Sequence, residues 1–153
     1  MKNIFLMRHA EPTKLINDDS KRGLTENGKS YVFNLATNNL ELLKNLDYIL
    51  CSPYKRTFQT AEIIKIITEH KNDLILDNRL LPGCKPEYIE EIANCLDEDN
   101  VLFVAHNPEL SYHVSYFTGN PEPIVFGYAT LVQISFENKI APMSGKVKLL
   151  IQT

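Results

Sequence analysis

The first apolar run of the chain, Ile4-Phe5-Leu6-Met7, has no polar interruption and predicts a buried strand that delivers Arg8 and His9 to its carboxyl end. From Glu11 to Gly23 the sequence turns polar, with Pro12, Asp18, Asp19 and Ser20, and reads as a surface loop. Thr25 then offers a helix N-cap. Tyr31, Leu35, Leu42 and Leu46 follow near helical spacing, which predicts one long helix over 26–45 with Asn38 and Asn39 weakening its middle. Asp47 to Cys51 predicts a second buried strand, and Ser52-Pro53 reads as a cap and first-turn proline of a helix running to about His70. A third strand is expected at 73–77, then a Pro82-Gly83 turn and a helix from Pro86 to Leu96. Val101 to Ala105 is continuously apolar, as in a parallel strand covered on both faces, and it ends in His106-Asn107-Pro108. A helix over 108–117 and two late strands, Tyr128 to Phe136 and Lys146 to Ile151, complete the pattern, the last two joined through Pro142 and Gly145. Strands alternating with helices predict an α/β protein, a three-layer α/β/α sandwich with a mainly parallel central sheet. The late strands leave room for an antiparallel edge.

Composition narrows the setting. The chain has 153 residues, 44% of them hydrophobic, which is the size of one ordinary domain, here taken as 1–153. Sixteen basic residues against nineteen acidic ones give a formal charge of −3, so no electrostatic footprint points to nucleic acid or to an anionic membrane. Cys51, Cys84 and Cys95 are odd in number and lack metal-ligand spacing, which suits a reducing compartment. No apolar run reaches membrane-spanning length, and the first is too short for a signal peptide. A cytoplasmic monomer is the expectation.

Three strand ends carry chemistry-bearing residues: Arg8-His9 after the first, Ser52 with Arg56 after the second, and His106 after the fourth. Taken singly, each is more often structural: Arg56 a solvated cation, Ser52 a plain cap, His106 a satisfied core residue. In open α/β sheets, however, ligands bind outside the carboxyl ends of the strands, and all three ends fall on that rim. Two guanidiniums, two imidazoles and a helix N-terminus would form a small cationic pocket for an anion such as phosphate. A neutral imidazole beside guanidiniums is a nucleophile suited to phosphoryl transfer, which needs chiefly positioning and charge neutralisation.

These residues resemble a known family. Arg8-His9-Ala10, Arg22-Gly23-Leu24-Thr25-Glu26-Asn27-Gly28, the stretch from Ser52 to Ala61, and Val104-Ala105-His106-Asn107-Pro108 are similar to motifs of the histidine phosphatase superfamily, although the family's Arg-His-Gly signature here ends in alanine. The short length looks most like the phosphohistidine phosphatases of the SixA type. The resemblance implies that His9 is the nucleophile that becomes phosphorylated and that Arg8, Arg56 and His106 complete the phosphate pocket. Neither metal nor cofactor is then needed, and His106, if cationic, would donate to a phosphate oxygen. The implied partner is a protein carrying phosphohistidine, with free phosphate or a small phosphoester as other ligands.

The family's usual proton donor is missing from the match. Many relatives carry a glutamate after the third strand, but Arg79-Leu80-Leu81-Pro82-Gly83 has no carboxylate. Glu11, Glu87 and Glu109 are the candidates in its place, and Arg22 either shapes the site or is a surface cation beside Asp18 and Asp19. Rival readings are weaker. Cys51 precedes Arg56 by four intervening residues rather than the five of cysteine-dependent phosphatases, and Pro53 removes an N–H from the loop between them. A small-molecule phosphomonoesterase or a mutase-like enzyme is the nearest alternative. A phosphate-binding signalling domain is the non-enzymatic one, though a receiver would place acidic groups where this chain has Arg8 and His9. His70 and His113 show no metal-ligand motif.

Overall fold

The computed structural model describes residues 1–14 and 17–152. Six strands form one sheet: β1 (Lys2–Arg8), β2 (Tyr48–Cys51), β3 (Ile75–Leu76), β4 (Asn100–Ala105), β5 (Leu131–Phe136) and β6 (Lys146–Ile151). Their spatial order is β3-β2-β4-β1-β5-β6. The first four in that order run parallel, while β5 lies antiparallel to β1, and β6 antiparallel to β5. The sheet is thus mainly parallel, with its antiparallel part built by the two late strands.

Apolar alternation divides the core into two layers. Ile4 and Leu6 of β1, with Val101, Phe103 and Ala105 of β4, pack on one face against α4 (Pro86–Cys95) and α5 (Glu109–Thr118). Phe5, Met7, Leu102 and Val104 point the other way, toward α1 (Glu26–Asn38) and α3 (Lys55–Thr68). Period-two side chains on a sheet covered from both sides produce unbroken apolar runs, which is why these strands were so legible.

Three predicted elements begin or break elsewhere, and the third strand, expected at 73–77, is only Ile75–Leu76. The long helix breaks at Asn39, whose side-chain amide and backbone N–H both donate to the Leu35 carbonyl at 2.8 and 3.1 Å, and a short α2 (Leu40–Leu43) restarts beyond it. Such local competition for a helical carbonyl is characteristic of asparagine. The helix after β2 starts at Lys55 and is capped by Tyr54 without a side-chain bond, so Ser52-Pro53 is not its cap. The strand expected from Tyr128 starts at Leu131, because 127–130 form a turn with Thr130 N–H donating to the Gly127 carbonyl at 3.1 Å.

Candidate active site

Register places the site. Arg8 pairs with Ala105 across β1 and β4, and Cys51 pairs with Val104 across β2 and β4, so the three strands end side by side. The residues that leave them, His9, Ser52 and His106, therefore meet on one rim. The His9 and His106 rings lie 5.5 Å apart, edge to face.

His9 is only 5% exposed. Its Nδ1 lies 2.8 Å from the Ala10 carbonyl, which can only accept, so Nδ1 carries the proton and Nε2 keeps its lone pair. The Arg56 Nε–H donates to that Nε2 at 3.3 Å. Burial lowers the His9 pKa to about 4, assisted by the charges of Arg56, Arg8 and Arg22 and opposed by the Ala10 carbonyl. At neutral pH the ring is uncharged and its free nitrogen faces cations.

Arg56, 7% exposed on the first turn of α3, is held on several sides. Its Nη1 donates to the Asp19 carbonyl at 2.9 Å, its Nη2 to the Asp19 carboxylate at 3.1 Å, and its guanidinium carbon lies 4.8 Å over the Tyr54 ring. Arg22 Nη1 meets the other Asp19 oxygen at 3.3 Å. Arg8 donates to the Phe126 carbonyl at 3.0 Å and stacks 4.3 Å over Tyr128. The Nε atoms of Arg8 and Arg22 are buried without a hydrogen-bond partner.

His106 is 4% exposed, with Nε2 2.9 Å from the Ser52 hydroxyl and Tyr54 edge-on to its ring at 5.1 Å. Burial lowers its pKa to about 3, with His9 and Arg56 adding to the effect and Asp19 opposing it. The condition attached to His106, that it be cationic, is therefore not met in the free site. Desolvation outweighs the one nearby carboxylate, and only an arriving phosphate dianion could favour the proton there. Ser52, read from the sequence as a helix cap, instead orients this imidazole.

The rim is tied to the helical layer by Thr60 of α3, whose hydroxyl accepts from Ala10 N–H at 3.1 Å and donates to the Arg56 carbonyl at 2.8 Å. One side chain thus fixes the segment after His9 against the helix that carries Arg56.

The carboxylate candidates fall outside this cluster. Glu11 accepts from the Thr25 hydroxyl at 2.7 Å, Glu109 accepts from Gly83 N–H at 2.5 Å, and Glu87 is exposed on the first turn of α4. None bonds to His9, Arg56 or His106. The acid that does reach the site is Asp19, which the polar pattern of the sequence assigns only to a surface loop. Asp18 caps the turn by accepting from Ser20 N–H at 3.0 Å, and this exposed Asp-x-Ser cap turns Asp19 inward. That spacing was the available signal. Arg22 belongs to the site through the same turn.

Other candidates are structural. Cys51 is fully buried and its thiol is pushed up to about 12, which removes the thiolate that a cysteine mechanism requires. His113 is buried with Nε2 2.8 Å from the Cys84 carbonyl. Among the described residues no group of histidine, cysteine and acidic side chains is arranged to hold a metal ion, and no helix is long and apolar enough to cross a membrane.

Comparison with known proteins places the chain in a family. The profile of the histidine phosphatase superfamily (branch 1) matches residues 4–81, a span that contains Arg8, His9 and Arg56, while His106 joins them from beyond it. A phosphohistidine phosphatase SixA homolog from Haemophilus influenzae is 31% identical over 155 residues, covering 88% of either chain. The protein histidine phosphatase SixA complexed with tungstate is similar over 98% of this chain and 96% of its own, with a TM-score of 0.87 at 21% identity. A phosphoglycerate mutase from Bacillus anthracis shares the fold over 96% of this chain and 91% of its own, with a TM-score of 0.76 at 14% identity. The chain belongs to the histidine phosphatase superfamily.

Proposed function

We propose that this member of the histidine phosphatase superfamily hydrolyses phosphohistidine on a partner protein through a phosphorylated His9, without a metal ion. The observation that carries the reading is the state of His9: buried, uncharged, its Nδ1 proton engaged by the Ala10 carbonyl and its Nε2 turned toward Arg56.

In the first step Nε2 exchanges its hydrogen bond from the Arg56 Nε–H for a bond to phosphorus, the bond from phosphorus to the leaving nitrogen breaks, and its electron pair stays with that nitrogen. Positive charge that develops on the His9 ring is stabilised by the Ala10 carbonyl through Nδ1–H. A guanidinium has five N–H donors, and three of those on Arg56 are used by His9 and Asp19, which leaves two for equatorial oxygens. Arg8 and Arg22 add their positive charge to the same pocket, where both already act on His9. Because these groups are fixed before the substrate arrives, their charge stabilises the transition state without reorganisation. Water oxygen then bonds to phosphorus, the phosphorus–Nε2 bond breaks with its electron pair returning to Nε2, and both water protons leave on the phosphate as dihydrogen phosphate.

The choice among substrates depends on the acids. An alkoxide leaves poorly unless protonated, and general acid help is worth about 10²–10⁴-fold. The Asp19 oxygens are occupied by guanidinium donors, while Glu11, Glu87 and Glu109 bond elsewhere or stand apart. A phosphorylated imidazole needs no such acid, since its second nitrogen carries a proton and the ring departs neutral, with a conjugate acid of pKa about 6.5. The test compares kcat/KM for phosphohistidine, an aryl phosphate and an alkyl phosphate, with and without His9→Ala. Phosphohistidine is expected to be favoured and label to be trapped only when His9 is present. Efficient alkyl ester hydrolysis, lost on changing Glu11, Glu87 or Glu109, would overturn the assignment.

A further inference from the structure

Beside the nucleophile lies a cavity of about 310 Å³ that the phosphate chemistry does not use. Ala10 and Glu11 form one side, Asn27 and Tyr31 of α1 another, and Tyr128 a third. We propose, resting on the phosphohistidine reading, that this cavity is the leaving-group subsite, in which Tyr31 and Tyr128 flank the substrate's protonated imidazole ring and the Glu11 carboxylate accepts its N–H.

Tyr128 occupies an unusual place. It is 39% exposed, yet its ring centroid is 6.0 Å from that of His9, and the Arg8 guanidinium covers it at 4.3 Å. The turn that presents it is clamped to the nucleophile's own backbone: Ala129 N–H donates to the His9 carbonyl at 3.1 Å, and Arg8 N–H donates to the Thr130 carbonyl at 3.1 Å. Ala129 has φ of 58°, a left-handed conformation that a residue with a Cβ adopts only when its surroundings impose it. A half-exposed aromatic ring fixed at this distance from the nucleophile's ring, by a strained turn, is more specific than core packing requires.

Glu11 is fixed as firmly. The Thr25 hydroxyl donates to its Oε1 at 2.7 Å, and Thr25 N–H donates to its backbone carbonyl at 3.0 Å. Helix α1 approaches so closely that a Cβ on Gly28 would stand 2.6 Å from that same carbonyl oxygen, which explains the glycine. The carboxylate is therefore held at a cavity whose other walls include two tyrosine rings.

The chemistry of the leaving ring fits these walls. Aromatic rings favour planar partners, and more so cationic ones. A ring phosphorylated on one nitrogen and protonated on the other is a planar cation with one N–H to donate. When the nitrogen–phosphorus bond breaks, its electron pair neutralises the ring, phosphorus bonds to His9 Nε2, and the ring's proton stays on its far nitrogen against Glu11. No proton has to be supplied during the step. Glu11 thereby acts by selecting the protonated substrate rather than by donating a proton.

The experiment measures kcat/KM for a phosphohistidine peptide, p-nitrophenyl phosphate and phosphoramidate with wild type, Glu11→Gln and Tyr128→Leu. Within each variant the ratio between substrates cancels damage common to all of them. Glu11→Gln is expected to lower phosphohistidine relative to p-nitrophenyl phosphate by about 10-fold or more, the range of a hydrogen bond to a charged group. Tyr128→Leu should lower both ring substrates relative to phosphoramidate by about 3–10-fold. Substrate ratios within twofold of wild type in both variants would overturn the subsite while leaving the phosphatase reading intact. Absence of turnover of all three substrates by wild type would overturn both.

Discussion

Replacing Arg56 by alanine tests the site most directly. The guanidinium is buried, bonds to His9 Nε2 at 3.3 Å, and reaches both the carbonyl and the carboxylate of Asp19. Two donors remain for substrate oxygens, and charge-assisted hydrogen bonds are worth ~1.5–3 kcal/mol each. Their loss from the transition state amounts to about 3–6 kcal/mol, or roughly 10²–10⁴-fold in kcat, since each 1.36 kcal/mol is tenfold. The folded state should lose less. Asp19 is half-exposed and keeps Arg22, so the carbonyl and carboxylate oxygens that lose the buried guanidinium can turn to water, and the cost is about 1–3 kcal/mol. For a chain of this length about 1 kcal/mol corresponds to a Tm drop of roughly 2–4 °C. Arg56→Lys retains the charge but cannot fork between Asp19 and phosphate, so it should fall between alanine and wild type. The assay is steady-state turnover of phosphoramidate or phosphohistidine, paired with a thermal melt of each variant. Near-normal kcat for Arg56→Ala with a native melt would refute the pocket as drawn; a collapse of the melt would instead make Arg56 a structural residue.

The same geometry has further measurable outcomes. Because His9 must be unprotonated to attack and its pKa is lowered to about 4, kcat/KM for p-nitrophenyl phosphate should show no acid limb near 6.5, the ordinary histidine value, and should fall only as pH approaches 4. The lowered pKa values of His9 and His106 leave stability untouched above pH ~6.5 and subtract from it as pH falls toward about 4, because the unfolded chain takes up protons that the buried rings refuse; urea melts across that window check it, and a flat profile would contradict it. Thr60→Val removes the acceptor of a buried Ala10 N–H and should cost about 1–3 kcal/mol in a chemical melt, together with turnover, because the segment after His9 loosens. Gly28→Ala forces a Cβ to within 2.6 Å of the Glu11 carbonyl, and overpacking of this kind costs about 1–3 kcal/mol; an unchanged Tm would show that α1 is not seated as described. Thiol alkylation should leave activity intact, given a Cys51 thiol pushed up to about 12, and turnover should persist in a chelator; inhibition by either reagent counts against catalysis by His9 alone.

The strands, and the arrival of Arg8, His9 and His106 at one rim, were legible because they obey local rules. An apolar run covered on both faces announces a parallel strand, and the residues just beyond its last position stand at the carboxyl rim whatever the rest of the chain does. Element boundaries were less legible where a polar side chain had two uses. Asn39 ends a helix by capturing the Leu35 carbonyl, and Ser52, a reasonable cap by sequence, gives its hydroxyl to an imidazole 54 residues away. Which carboxylate joins the site was legible only through the Asp18-x-Ser20 spacing. Asp19 and Glu11 both lie in the polar segment after β1, and only the turn capped by Asp18 sends the first to Arg56, while the Thr25 hydroxyl holds the second beside Tyr128. The ionisation of the two histidines likewise belonged to tertiary structure. Sequence supplied nearby guanidiniums, but the largest cause of the lowered pKa of His9 and His106 is burial, which exists only once the helices close over the sheet. The chain by itself determined which chemical groups arrive at the rim; packing decided their protonation, their partners and the shape of the space beside them, because desolvation and long-range contacts depend on every layer being in place.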